Sequence, residues 1–318
     1  MENNAFEDVL TDYFFSKTLR PATEWSYRKV VKSFLRFTGN NIKLDDVDKK
    51  LVHTWRRHVI SDNGLSKRTW NNKVTHMRAI FNHAISQGHF SCRENPFNGA
   101  IARPDVKRKK TLTEIQIKKI YLLMEQREAD EFSGKLQTQR NALRPAWFWL
   151  TVLDALQRTG MRQNQLLHIR LRDVDLDNGW ISLRPEGSKN HKEHRVPVTA
   201  KLRPRLEFLY NKSVERGAGA EDQLFNISRF VGTRKETSDN MDHPPLRAFF
   251  RRLSKECGFS VSPHRFRHTI ATNLMSMPDR NIKMAQELLG HSTPAVTLEY
   301  VETDLNKVRT MLEQMEAA

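Results

Sequence analysis

The chain has 318 residues, enough for two domains with separate cores, and 53 Lys and Arg against 37 Asp and Glu give a formal net charge of +16. An excess of that size gathers polyanions, so nucleic acid is the expected partner; no apolar run reaches membrane-span length and no basic amphipathic anchor is evident, so no membrane partner is expected. Two cysteines, Cys92 and Cys257, make no disulfide framework, and the polar, acidic start from Met1 to Asp8 is not a signal peptide, which points to the cytoplasm.

The first hundred residues read as helices. A run opening at Thr23-Glu24-Trp25 carries Trp25, Val30, Val31, Phe34, Leu35 and Phe37 as its expected buried stripe, and Leu51, Val52, Trp55 and Val59 repeat at helical spacing. Ser66 is the expected N-cap of a helix bearing Trp70, Val74, Met77, Ile80, Phe81 and Ile85, with Gly88 at its end and Asn95-Pro96 closing the bundle. The stretch Ala102 to Lys110 is basic, holds a proline and has no apolar period, so it reads as a linker. Within it, Lys107, Arg108, Lys109 and Lys110 are candidates to lie along phosphates.

A second domain starts with a helix near Thr113. A long helix from about Pro145 to Arg158, rich in Trp and Leu, should be central to its core and end at Gly160. Strands are expected at Trp180–Leu183, after the turn Asp177-Asn178-Gly179, and at Arg195–Val198. Arg229 to Pro245 reads as a polar loop, and helices return from Leu246.

The chemistry concentrates late in the chain. Ser262 suits an N-cap and Pro263 a first helical turn, so a helix starts just before His264, with Phe266, Ile270 and Leu274 as its expected buried stripe. His264 and Arg267, three apart, can reach one ligand. Leu289-Gly290-His291 and Tyr300 follow. Arginine and histidine hold and protonate phosphate oxygens, and tyrosine can attack phosphorus. A zinc site on His264 and His268 fits poorly, because the intervening Arg-Phe-Arg offers no glutamate base and repels a cation. Asp173 to Asn178 resembles the start of a calcium loop, but Asn178 stands where that loop needs Gly and Arg184 where it needs Glu, leaving a turn into a strand. Upstream, Arg162 presents a guanidinium at a helix start and Lys189 sits at or near a hairpin turn.

Taken in order, Thr159-Gly160-Met161-Arg162, Lys189 with Arg195-Val196-Pro197-Val198, His264-Arg265-Phe266-Arg267-His268-Thr269, Leu288-Leu289-Gly290-His291 and Tyr300 resemble the tyrosine recombinases of the phage integrase family. Ser26-Tyr27-Arg28 and Leu65-Ser66-Lys67-Arg68-Thr69 resemble that family's core-binding domain, with Lys67 and Arg68 as DNA-binding candidates. The resemblance implies a mainly α fold with a small antiparallel sheet. It divides into a helical, SAM-like core-binding domain over 1–101, a linker over 102–111 and a catalytic domain over 112–318. It implies a site-specific recombinase that cuts and rejoins double-stranded DNA at paired half-sites through a 3′-phosphotyrosyl bond, without metal or other cofactor.

In that scheme Tyr300 is the nucleophile, Arg162 and Arg267 grip the phosphate, and Lys189 protonates the leaving oxygen. His264 assists proton transfer and His291 binds phosphate. A dimer on one site and a tetramer in synapsis follow, with the heptad-spaced tail Leu305, Val308, Leu312 and Met315 docking either on its own domain or on a neighbour. The family often has an acidic residue three after its first arginine; here that position is Gln165. Residues 127–142 look like an insertion, and no separate arm-binding domain is expected ahead of the core-binding helices. DNA relaxation by the same chemistry, as in type IB topoisomerases, and a silent DNA-binding regulator on the same scaffold remain alternatives on sequence alone.

Overall fold

A computed structural model describes residues 5–91, 94–103, 105, 110–135, 141–188, 193–231, 239–277, 281–299, 309, 313, 315 and 316. The chain divides into two compact units, Met1–Lys107 and Arg108–Ala318. The first packs α1 (Ala5–Phe15), α2 (Pro21–Thr38), α3 (Lys49–Arg57) and α4 (Lys67–Ser86) around an aromatic centre, with α3 running into a π-helical turn at His58–Asp62. Trp55 and Trp70 meet edge to face at 5.2 Å between ring centres, and the Trp70 indole N–H donates to the Ala100 carbonyl at 2.7 Å. That bond satisfies the one polar atom of a fully buried side chain and ties the end of the unit to α4. Ser66 caps α4 as the sequence predicts, accepting from the Thr69 N–H at 3.2 Å.

The stripe on α2 is narrower than its sequence suggests. Val30, Val31, Phe34 and Leu35 are buried, but Trp25 is 64% exposed and lies under the Lys29 ammonium instead. Trp25 sits five residues before Val30, a step that carries it off the buried face of a helix with 3.6 residues per turn.

In the second unit, α5 (Glu114–Phe132) and α6 (Ala146–Thr159) lead into the short α7 (Gln163–Leu166). The three-stranded antiparallel sheet β1 (Val174–Asp175), β2 (Trp180–Leu183), β3 (His194–Pro197) follows in that spatial order, with Ile181 paired to Val196 and Leu183 to His194. Then come α8 (Arg203–Glu215), α9 (His243–Cys257), α10 (Pro263–Ser276), α11 (Ile282–Leu289) and α12 (Pro294–Leu298). α6 is buried nearly all round and packs on α5, α8 and α10; Trp149 on it stacks flat on Phe249 of α9, ring centres 4.2 Å apart. A helix buried on every side is hydrophobic on every side, which is why this segment lacks a clean stripe. The segment weighed as a calcium loop is a turn: Asp175 accepts from the backbone and side chain of Asn178 at 2.9 and 2.8 Å. Among the described residues no helix is long and apolar enough to cross a membrane.

One carboxylate is buried in α6. Asp154, 3% exposed, accepts from the Tyr121 hydroxyl and the Arg158 Nε, both at 3.0 Å, and pairs with Arg205 at 3.3 Å. Removing a buried carboxylate strands the cations around it. Asp154→Ala is expected to lower unfolding free energy by about 3 kcal/mol in urea denaturation.

Candidate strand-transfer site

The site is built at the ends of helices. α6 stops where Gly160 turns left-handed (φ +64°), and Thr159, fully buried, holds the turn by accepting from the Met161 N–H at 3.2 Å. The chain then straightens into Arg162, the N-cap of α7. Gln165 answers the question its position raised. It is 1% exposed, and its side-chain oxygen accepts the Arg162 backbone N–H at 2.8 Å, closing the first turn of α7. An amide oxygen performs that capping task without placing a negative charge under the guanidinium. Asn164 donates to the Gly187 carbonyl at 3.1 Å, fastening α7 to the segment that leads to the buried Ser188.

α10 supplies the second arginine. Ser262 caps it, accepting from the Arg265 N–H at 3.3 Å, and Pro263 occupies the first turn as expected. Its inward face differs from the expected stripe: Phe266, Arg267, Ala271 and Met275 are buried, whereas Ile270 and Leu274 are half-buried. Arg267 is 4% exposed and donates from Nη1 to the Gly160 carbonyl at 2.7 Å and from Nη2 to the Leu289 carbonyl at 2.5 Å. It therefore ties the end of α6 to the end of α11. His264, one turn earlier, is exposed, its ring 6.4 Å from that of His268. Thr269 of the same helix accepts the Leu112 N–H at 2.8 Å, which fixes the start of this unit to α10.

His291 follows the left-handed Gly290 (φ +58°) that ends α11. It is 7% exposed, and its Nδ1 lies 2.9 Å from the hydroxyl of the fully buried Thr297 on α12. That bond orients the imidazole and anchors the helix that ends just before Tyr300.

The sequence reading missed His194. Its ring is in β3, and a Cβ placed on Gly290 would come within 2.7 Å of it. Burial, then the charges of Arg267 and Arg162, push its pKa down to about 4. Both arginines therefore act on one imidazole, although the sequence separates them by more than a hundred residues. A signal existed: His194 shares a strand face with the buried Val196, so alternation turns it inward.

The remaining candidates divide. Lys67 pairs with Asp105 at 2.8 Å, Arg68 and Lys110 are exposed, and Arg68 lines a shallow polar depression with Ser66, Asn71 and Thr75. Lys189, Tyr300, Lys107, Arg108 and Lys109, with Leu305, Val308 and Leu312 of the tail, lie outside the described residues.

Two helical units, the second gathering arginines and imidazoles from separated segments, define the class of two-domain enzymes that transfer DNA strands. The phage integrase family model matches residues 110–307, and the phage integrase SAM-like domain matches residues 5–102. The chain belongs to the phage integrase family and is a tyrosine-type site-specific recombinase. It is 37% identical over 308 residues to a putative tyrosine recombinase XerC of Pseudomonas aeruginosa, covering 96% of this chain and 70% of that protein. A protein of the same description from Pseudomonas syringae is 33% identical over 315 residues, 99% of this chain and 65% of the other. In fold the chain is similar to the Tn1549 transposon integrase in complex with transposon right end DNA (TM-score 0.72, 18% identity, 99% and 100% of the two chains). It is also similar to a lambda integrase tetramer bound to a Holliday junction (TM-score 0.66, 20% identity, 94% and 76%).

Two outcomes follow for this geometry. Gly290→Ala, strained by its positive φ and by the His194 ring, is expected to lower stability by about 2 kcal/mol in thermal or urea unfolding. Because the folded pKa of His194 lies below its unfolded value of about 6.5, the unfolded chain binds the extra proton, and the contribution to stability is complete above pH 6.5 and lost as pH falls towards 4. Unfolding free energy measured across that window should therefore fall more steeply with acid in the wild type than in His194→Gln.

Proposed function

We propose that this recombinase cuts DNA with Tyr300. The tyrosine oxygen attacks a backbone phosphorus, a bond from that oxygen to phosphorus forms, and the bond to the 5′-oxygen breaks. The strand is left joined to the protein through its 3′-phosphate. Lys189 supplies the proton that the departing 5′-oxygen takes, and His264 accepts the one tyrosine gives up. Arg162 and Arg267 hold the non-bridging oxygens, where planar donors stabilise the charge that builds at the pentacoordinate stage. His291, oriented by Thr297, adds a hydrogen bond. The stored phosphodiester allows a second strand's 5′-hydroxyl to reverse the reaction, so no metal or other cofactor is called for.

The observation that carries this reading is that Arg267, buried, is fixed between the ends of α6 and α11 by the Gly160 and Leu289 carbonyls, two residues before Arg162 and two before His291 on those segments. A guanidinium held under burial without a carboxylate is costly unless an anion joins it. The exposed His264 stands on the same helix, where a proton can pass to solvent.

The partner in this reading is double-stranded DNA with paired half-sites, bound in the cytoplasm by a dimer at each site and a tetramer in synapsis. Residues 1–101 serve as the core-binding domain, 102–111 as a linker and 112–318 as the catalytic domain. Lys67, Arg68 and Lys107 to Lys110 bind backbone phosphates, and the C-terminal helix docks on a neighbouring protomer.

Nicked suicide duplexes carrying candidate recombination half-sites test the chemistry. The wild type is expected to give an SDS-resistant protein–DNA adduct, Tyr300→Phe to give none, and Arg162→Ala or Arg267→Ala to slow its formation by about 100-fold or more. An adduct that survives Tyr300→Phe would sink the assignment of the nucleophile. Adding salt should weaken binding of the intact protein steeply, and changing Lys110 and Arg68 to Ala should reduce the slope of log affinity against log salt by about one for each phosphate left without its cation.

A further inference from the structure

His194 has no role in the scheme above, yet its ring packs on Gly290, the residue after the Leu289 carbonyl that Arg267 holds. Its Nε2 is buried and has no hydrogen-bond partner among the described residues. The ring is clamped on one side by Gly290, where any side chain would collide with Cε1, Nε2 and Nδ1 alike. β2 offers it the apolar Leu183 as strand partner. The end of α11 offers Gly290, and among the described residues the charges that act on it are those of Arg267 on α10 and Arg162 ahead of α7. Glu193 and Arg195, its neighbours on the chain, are exposed. An imidazole with no carboxylate partner among the described residues, in the field of two permanent cations, stays neutral for as long as nothing offsets them.

We propose that His194 is a positioning residue of the strand-transfer site: a neutral spacer beside the Arg267 anchor when the site is empty, which takes a proton from solvent when a phosphodiester settles on Arg162 and Arg267. The inference rests on the strand-transfer reading of that site. A bound phosphate adds negative charge at the position from which both guanidinium groups act, so the repulsion that holds the ring neutral is offset. No covalent bond changes; one proton moves from water to the imidazole. The site thereby gains a third positive charge only when there is an anion to meet it. An arginine at this position would carry its charge permanently and add to the repulsion in the empty site.

The measurement is the titration of the His194 ring by NMR in the full chain, its signal assigned by its loss in His194→Gln. Sulfate and dimethyl phosphate serve as probes because neither titrates in the range of interest. In the free protein the midpoint should lie well below the usual histidine value. With either anion in excess it should rise by about one pH unit or more, a tenfold gain in proton affinity. Arg162→Gln should raise it in the absence of any anion, and this variant leaves the ties from Arg267 to Gly160 and Leu289 in place. Arg267→Gln is the parallel measurement. A ring that titrates near its ordinary value in the free protein, or that responds neither to the anions nor to Arg162→Gln, would overturn the proposal. The adduct assay judges the strand-transfer reading separately: loss of the adduct with the titration response intact removes that reading and leaves only an anion-linked imidazole, and the reverse result removes only the role of His194.

Discussion

The second unit depends on one buried cation. Arg267 reaches the carbonyl of Gly160 with one nitrogen and that of Leu289 with another, so a single guanidinium joins the ends of α6 and α11 to α10. Carbonyl oxygens satisfy those N–H groups without neutralising the charge they carry. The same side chain therefore braces three helices and keeps its positive charge. Burial strengthens both effects, because charge acts over a longer range where water is excluded.

From that tie the rest of the site follows as a set of helix endings. Left-handed glycines stop α6 and α11, and each is followed within two residues by a group that points to phosphate chemistry, Arg162 in one case and His291 in the other. Both glycines are also close-packed: a Cβ on Gly160 would come within 3.0 Å of Leu289, and one on Gly290 would strike His194. The end of α6 thus meets α11 through Gly160, and the end of α11 meets β3 through Gly290. Gln165 and Thr297 then hold the flanking groups in place, one by capping the turn at Arg162 and the other by orienting His291.

The core-binding unit is organised on a different principle. Its centre is a lattice of edge-to-face aromatic rings in which Phe34, Trp55, Trp70, Phe81 and Phe97 take part, with Trp70 and Asn95 satisfying backbone groups at the closing segment. Its polar surface keeps a basic character, but not every cation there stands alone: Lys67 is engaged by Asp105, while Arg68 beside it is exposed. Net charge read from composition says how strongly a protein attracts a polyanion and leaves open which side chains meet it.

Sequence by itself determined the helices with strong local signals. Ser66 and Ser262 cap where their position before an apolar run demands it, Gly160 ends α6, and Trp180–Leu183 pairs as a strand, because caps, left-handed turns and strand alternation are set by residues a few positions apart. It also placed Arg162, His264, Arg267 and His291 in the order of a known family. Where local pattern had to stand for packing, it went wrong: Trp25 lies outside the stripe to which its hydrophobicity assigned it, and α10 buries Arg267 more deeply than Ile270 and Leu274. Only the tertiary structure decided that Arg267 would brace α6 against α11 and that His194 would pack on Gly290 beside that brace. Those relations join residues from 22 to 107 positions apart in the Arg267 ties alone, and no local period encodes them. They exist because burial brings the ends of separate helices to one place, where the size of a glycine and the charge of an arginine act on whatever lies beside them.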